Sequence, residues 1–295
     1  MTCFTLNGKA VISQSSPSTR LSEVLRSEMG LSGTKIGCNA GDCGACSVLL
    51  DDEPICSCLT TVAQVGGAKV MSIEGLNAEN IISNLQESFL AHGAAQCGIC
   101  TPGMMVAAHA LLLKNPTPNR CDVEDALSGV LCRCTGYGKI IDAVLAVNFD
   151  RPARSFPQVG CSVGIPIRHL DGQSKVDASL VYGDDAAPQD SVMVRVIRSP
   201  YHYASFKIGD KAAFLSKHPE IVAVLDASDI PGRNCFGVIP PFADQPVFAE
   251  ETALYRGDAV AAIVGEVDVI TRFDEANFPI TWHPYDTMLT PEAAM

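Results

Sequence analysis

The sequence predicts an α+β protein built from several domains. Its 295 residues exceed the ~100–200 residues of one typical domain. With 47% apolar and 18% charged residues, it can form packed cores. Short β-prone segments occupy both ends of the chain, and the middle carries apolar residues at helical spacing. We therefore expect a small mixed sheet, then a helical domain, then a second domain of strands and helices.

The N-terminal elements follow from turn and cap signals. Asn7-Gly8 separates two β-prone pieces between residues 4 and 13, which predicts a hairpin. The next predicted elements are a helix over 20–29 ended by a glycine, strands over 45–50 and 69–73, and an acidic turn over 51–53.

The middle of the chain predicts helices, and the remainder predicts a mixture. The helices are expected over 81–92, 102–114, 123–130 and 140–147. Thr101 is expected to cap the second helix, with Pro102 as its first residue. A polar, proline-containing stretch at 150–157 indicates a linker. Beyond it we expect strands over 191–198, 221–226 and 259–264, and helical stretches over 211–217 and 274–277.

The net charge excludes several classes of partner. Lys and Arg number 21 against 33 Asp and Glu, so the formal charge of -12 repels phosphate backbones and anionic lipid. We predict no nucleic-acid partner.

The most apolar run, 104–113, is too short to cross a membrane, and no basic segment followed by an apolar one begins the chain. We predict no membrane span, no secretion signal and a cytoplasmic location.

Thirteen cysteines, an odd number, favour metal binding over disulfides in a reducing compartment. Residues 37–46 read GCNAGDCGAC, so Cys38, Cys43 and Cys46 have the C-x4-C-x2-C spacing typical of plant-type [2Fe–2S] proteins. The glycines permit backbone amides to approach sulfur, whereas zinc sites usually carry C-x2-C pairs. Spacing alone leaves the fourth ligand open between Cys56 and Cys58.

A second group consists of QCGICTPG at 96–103 and LCRCTGY at 131–137, with cysteines at 97, 100, 132 and 134. Its C-x2-C and C-x-C pairs alone suit zinc or iron–sulfur equally. The first pair precedes a predicted helix, where the helix dipole favours thiolate. A negatively charged cluster therefore fits this position.

Taken together, the two cysteine groups resemble the iron–sulfur domains that begin the molybdenum hydroxylases, the xanthine dehydrogenase and aldehyde oxidoreductase family. The segments VRVIRSP at 194–200, DIPG at 229–232 and YRGDAVA at 255–261 resemble the domain that opens the family's molybdenum-binding part. The resemblance implies a β-grasp [2Fe–2S] ferredoxin domain over 1–76, a four-helix [2Fe–2S] domain over 77–149, a linker over 150–175 and an α/β hammerhead-like domain over 176–295.

The resemblance also implies the ligands. The cluster distal to molybdenum would be held by Cys38, Cys43, Cys46 and Cys58, and the proximal cluster by Cys97, Cys100, Cys132 and Cys134. Gln96 and Cys134 would lie near the pterin. No residue of this chain is expected to be catalytic.

By the same resemblance, molybdopterin, as a dinucleotide, would reside on a separate catalytic subunit, and FAD on another partner. The enzyme would hydroxylate a purine- or pyridine-type heterocycle or an aldehyde, and this chain would carry the electrons away. Two alternatives are a stand-alone iron–sulfur carrier or redox sensor, and a zinc-stabilised interaction protein.

Overall fold

A computed structural model describes residues 1–77, 80–149, 157–165, 167–183, 185–188 and 190–295. The chain divides into two compact units, Met1–Ala186 and Ala187–Met295. Both contain helices and strands, as the predicted α+β class requires.

The first unit begins with a five-stranded sheet. Its strands are β1 (Thr2–Leu6), β2 (Lys9–Ser13), β3 (Ser47–Leu50), β4 (Glu53–Cys56) and β5 (Lys69–Met71). They are ordered β2-β1-β5-β3-β4, and the β1–β5 pair is parallel while the others are antiparallel. A helix packs on this sheet, starting as α1 (Leu21–Glu23) and continuing as a π-helical turn over Val24–Glu28.

The predicted hairpin is confirmed. Asn7 and Gly8 adopt φ angles of 49° and 78°, the left-handed conformation that a two-residue hairpin turn requires. Asp51 and Asp52 also have positive φ, so the predicted acidic turn joins β3 to β4. The strand β4 and a 3-10 turn over Val62–Val65 were not predicted.

Helices form the second part of the first unit. They are α2 (Ile73–Leu76), α3 (Asn80–His92), α4 (Thr101–Lys114), α5 (Arg120–Leu127) and α6 (Gly138–Leu145). The predicted cap of α4 is wrong by one residue: Cys100 is the N-cap and Thr101 already belongs to the helix, with its side chain buried. The helix α4 is buried along most of its length because it lies among the other helices and against β3.

The segment after the helices also belongs to the first unit. Helix α7 (Gly172–Val176) packs on α3 and α4, and Val176 and Ala178 lie in the helical core. Part of the predicted linker, 150–156, lies outside the described residues. The compact units divide after Ala186, ten residues beyond the predicted start of the last domain, whose boundary stays a prediction.

The second unit contains two three-stranded antiparallel sheets. Its strands are β6 (Met193–Arg198), β7 (Ala204–Ile208), β8 (Ile221–Leu225), β9 (Thr252–Ala253), β10 (Ala259–Gly265) and β11 (Ile280–Pro284). One sheet has the order β6-β10-β8 and the other β11-β7-β9. Its helices are α8 (Lys211–Lys217), α9 (Val267–Arg272) and α10 (Pro291–Ala294), with 3-10 turns over Ala227–Asp229, Pro240–Phe242 and Glu275–Asn277.

Within the described part of the chain, no helix has the length and apolar character needed to cross a bilayer.

Candidate metal centres

The loop that precedes β3 directs backbone amides at sulfur. The N–H groups of Ala40 and Cys43 donate to Cys38 Sγ at 3.3 and 3.4 Å, and the Cys38 N–H donates to Cys43 Sγ at 3.3 Å. These bonds stabilise thiolate, so they lower the pKa of Cys38 to about 7. The loop therefore has the amide geometry that a negatively charged iron–sulfur cluster requires.

Two glycines make this loop geometrically feasible. A Cβ on Gly37 would lie 2.8 Å from Cys43 Sγ, so a side chain there would displace the sulfur. Gly44 has φ +65°, and a Cβ on it would lie 2.1 Å from the Gly129 carbonyl oxygen. Both positions thus require glycine because there is no space for a side chain, and not only because glycine favours turns.

Cys46 and Cys58 complete the first group. Cys46 directly precedes β3, and Cys58 follows β4 by two residues. Their side chains are in hydrogen-bond contact and both are buried. The Gly41 backbone gives Cys58 a hydrogen bond, while burial raises the pKa of the Cys58 thiol to about 11. Cys56 also contacts Cys46, but Cys56 is only half-buried. Its thiol donates to the Gly41 carbonyl oxygen, 3.9 Å away.

The second group, like the first, consists of a more exposed pair of cysteines and a more buried pair. Cys97 Sγ and Cys134 Sγ are 3.4 Å apart and both residues are exposed. Cys100 and Cys132 are in hydrogen-bond contact with each other, and Cys132 is buried. Burial raises the pKa of the Cys100 thiol. Gln96, predicted to lie near the pterin, is exposed beside Cys97.

Polar groups around Cys132 were not identified from the sequence. Thr135 Oγ1 lies 3.1 Å from Cys132 Sγ, and the Cys132 N–H donates to the Tyr137 hydroxyl at 2.9 Å. Burial opposes ionisation of Cys132, but its hydrogen bonds with Thr135, with Cys100 and with the Cys134 backbone together lower its pKa. The only sequence signal was the position of Thr135 and Tyr137 in the LCRCTGY segment.

The two groups meet through the backbone. The Leu131 N–H, next to Cys132, donates to the Cys43 carbonyl oxygen at 2.9 Å. Near this bond, a Cβ on Gly103 in α4 would lie 2.5 Å from the Gly44 carbonyl oxygen. The first-group loop therefore sits directly on the start of α4 and on the segment that carries Cys132.

The donor set fits a dinuclear centre at each group. Each group contains two contacting pairs of cysteines, and Cys56 is a fifth cysteine beside the first group. In a [2Fe–2S] cluster each iron takes two protein sulfurs. Among the described residues, no three His, Cys, Asp or Glu side chains are arranged around a single metal ion.

The cysteines that lie apart from the two groups are not part of a hydrophobic core. Cys3, Cys121 and Cys161 are exposed, and Cys235 is partly exposed. Each lies on a surface strand, helix or loop, where its small side chain does not reach a core.

Comparison with known protein families agrees with this architecture. Residues 4–64 match the 2Fe-2S iron-sulfur cluster binding domain, and residues 72–145 match the [2Fe-2S] binding domain. Residues 177–273 match the a/b hammerhead domain of aldehyde oxidase and xanthine dehydrogenase.

Individual proteins show the same relationship. The chain is 32% identical to the aldehyde oxidoreductase of Megalodesulfovibrio gigas over 273 residues, which are 85% of this chain and 30% of that protein. It is 46% identical to a probable xanthine dehydrogenase subunit of Bacillus subtilis over 145 residues, 49% of this chain and 83% of the relative.

A solved structure extends the similarity over the whole chain. The aldehyde oxidoreductase of Desulfovibrio desulfuricans superimposes with a TM-score of 0.85 at 29% identity, covering 100% of this chain and 35% of the larger protein. The chain thus spans about a third of the length of the aldehyde oxidoreductases but most of the length of the Bacillus subtilis relative. The chain belongs to the xanthine dehydrogenase and aldehyde oxidoreductase family of molybdenum hydroxylases, as its iron–sulfur portion joined to a hammerhead domain.

Proposed function

We propose that this chain transfers electrons through two [2Fe–2S] clusters as the iron–sulfur part of a molybdenum hydroxylase. The observation that carries the proposal is the Leu131–Cys43 hydrogen bond, 2.9 Å long, which joins one four-cysteine site to the other. A ligand of the first site and the neighbour of a ligand of the second thus share one backbone contact.

The proposed ligands are the eight cysteines of these four pairs. Cys38, Cys43, Cys46 and Cys58 would hold the distal cluster, and Cys97, Cys100, Cys132 and Cys134 the proximal one. Burial of Cys58 and its hydrogen bond from the Gly41 backbone support Cys58 over Cys56. When bound, each cluster takes up and releases one electron at a time.

The residues around the two sites provide a connected path between them. Their hydrogen bonds also influence the charge that each cluster prefers to carry. From Cys132 the path follows the backbone to Leu131, crosses the hydrogen bond to the Cys43 carbonyl and reaches Cys43 Sγ through the same residue. Amide hydrogen bonds surround Cys38, whereas a hydroxyl contacts Cys132. Because hydrogen bonds and burial tune such centres, we expect two unequal reduction potentials.

The exposed side of the second site would face the molybdenum centre. Cys97, Cys134 and Gln96 are all exposed, which supports an approach of the pterin near Gln96 and Cys134. We place the molybdopterin on a catalytic subunit and FAD on a further subunit, in the cytoplasm. The names of the relatives support an aldehyde or a purine- or pyridine-type heterocycle as the substrate class.

Metal analysis of the natively purified complex tests this function. We expect about four irons per chain, as two dinuclear clusters require, together with about one molybdenum. Iron at that level without molybdenum would contradict this proposal and favour a stand-alone iron–sulfur carrier. Zinc in place of iron would contradict both.

A further inference from the structure

The second cysteine site is supported by a tyrosine that lies outside both cysteine groups. The Tyr182 hydroxyl donates to the Cys97 carbonyl oxygen at 2.6 Å. The backbone of Cys97 in turn gives a hydrogen bond to Cys134 Sγ. Cys97 is therefore held between Tyr182 on one side and the sulfur of its paired cysteine on the other.

The contact between this tyrosine and the cysteine turn is close. Gly98, which follows Cys97, has φ +90°, and a Cβ on it would lie 2.5 Å from the Tyr182 hydroxyl oxygen and 2.9 Å from Lys175 Cγ. Only glycine allows Tyr182 and Lys175 to cover the turn at this distance. The position of the tyrosine is thus fixed by packing as well as by its hydrogen bond.

Buried charges hold the tyrosine from its other side. Lys35 Nζ lies 4.8 Å from the centre of the Tyr182 ring, within the range of a cation–π contact. The same ammonium pairs with Asp185 Oδ2 at 3.5 Å, and Arg26 also pairs with Asp185. The Tyr182 N–H donates to Asp185 Oδ2 at 3.3 Å. Two cations therefore share the Asp185 carboxylate, and the Lys35 ammonium, which also lies near Glu74, faces the ring.

The cationic side chains come from the domain of the other cysteine group. Lys35 is 3% exposed and lies three residues before Cys38. Tyr182 thus joins the loop of the first group to a cysteine of the second. Its hydroxyl is the donor in the hydrogen bond to the Cys97 carbonyl oxygen.

We propose that Tyr182 is a positioning residue for the proximal cluster, and that Tyr182 and Lys35 together raise its reduction potential. The assignment rests on the proposed function. Reduction adds negative charge, which the ammonium and the proton end of the hydroxyl dipole both stabilise. Without the hydroxyl, Cys97 loses the support that directs its backbone at Cys134 Sγ, and this loss also disfavours the reduced form.

A redox titration of the full-length, cluster-loaded chain tests the assignment. In Tyr182→Phe the ring and its packing remain, so we expect the iron content to stay unchanged. The EPR signal of the proximal cluster should appear at a more negative potential, while the distal signal stays in place. The matched control is Tyr255→Phe, which removes an exposed hydroxyl in the second compact unit whose described contact is with Gln245. It should move neither signal.

A second variant keeps the test decisive if Tyr182→Phe loads poorly. Lys35→Gln retains the tyrosine and leaves Asp185 paired with Arg26, and it should shift the same signal in the same direction. Two signals that do not move in either variant would overturn the assignment of Tyr182 while leaving the proposed function intact. Wild-type protein without two [2Fe–2S] signals would instead overturn the proposed function.

Discussion

Each cysteine group combines a more exposed pair with a more buried one. In the first group Cys38 is exposed and Cys46 is buried, and in the second Cys134 is exposed and Cys132 is buried. The polar partners differ, because backbone N–H groups surround Cys38 and a threonine hydroxyl contacts Cys132. These differences in hydrogen bonding give the chain two separate ways to adjust the potentials of its clusters.

The choice between Cys56 and Cys58 yields the first prediction at this scale. Cys58→Ser should reduce the iron content from about four to about two per chain, because one dinuclear cluster loses a ligand. Cys56→Ser should retain about four irons, as expected if this thiol is not a ligand. Iron analysis and visible absorption of the purified variants measure both.

The matched control is Cys121→Ser, which replaces an exposed cysteine on α5 and should leave the iron content unchanged. The reverse result, with iron lost from Cys56→Ser and kept by Cys58→Ser, would show that the ligand assignment is wrong.

Sequence reasoning at the residue scale located the two cysteine groups but not the polar groups that contact them. C-x4-C-x2-C spacing is visible along the chain because these cysteines are close in sequence. Tyr182 is 85 residues from Cys97, so no local pattern could reveal their hydrogen bond. The exposure of Cys3 and Cys121 likewise depends on which side of an element faces solvent.

At the scale of elements, the start of α4 is the place where the sheet and the helices meet. The loop residue Gly44 contacts the Gly129–Val130 backbone, and its carbonyl approaches Gly103 in α4. The Leu131–Cys43 hydrogen bond lies in the same region. Close backbone contact here fixes one cysteine site relative to the other.

Gly44→Ala tests this contact. The new methyl group would overlap the Gly129 carbonyl oxygen, 2.1 Å away, and the residue would keep a positive φ. We expect the free energy of unfolding to fall by about 1–3 kcal/mol more than in Gly67→Ala, owing to the overlap. Chemical denaturation followed by circular dichroism measures the difference.

Gly67 is the matched position because it has φ +76° but no atom within 4 Å of the point where a Cβ would lie. Alanine there isolates the backbone strain from the overlap. Equal destabilisation by the two substitutions would mean that the contact between loop and helices is not needed for stability.

Element prediction succeeded where the signal was local. The Asn7-Gly8 turn and helix α8 were identified correctly, because both depend on residues that are adjacent or nearly adjacent in the sequence. The strands β4, β7, β9 and β11 were missed. The strand β4 contains Pro54, β11 ends at Pro284, and β9 has only two residues. Long-range pairing, rather than local propensity, establishes these strands.

At the scale of the whole molecule, the segment after the helical domain differs most from its prediction. The linker that the resemblance implies over 150–175 contains most of α7, which packs on the helices. Asn77 Nδ2 donates to the Asp177 carbonyl at 2.9 Å, and Asp185 pairs with Arg26 and Lys35. The composition of this segment does not reveal contacts with residues 100 to 159 positions earlier.

The central claim is that one chain carries two connected [2Fe–2S] clusters of unequal potential. Stepwise reduction of the loaded full-length chain, followed by EPR, tests it most directly. We expect two distinct signals that appear at different potentials and together account for two electrons per chain, one for each cluster. A single signal that accounts for one electron per chain, or a fully metallated protein that accepts no electrons, would contradict the claim.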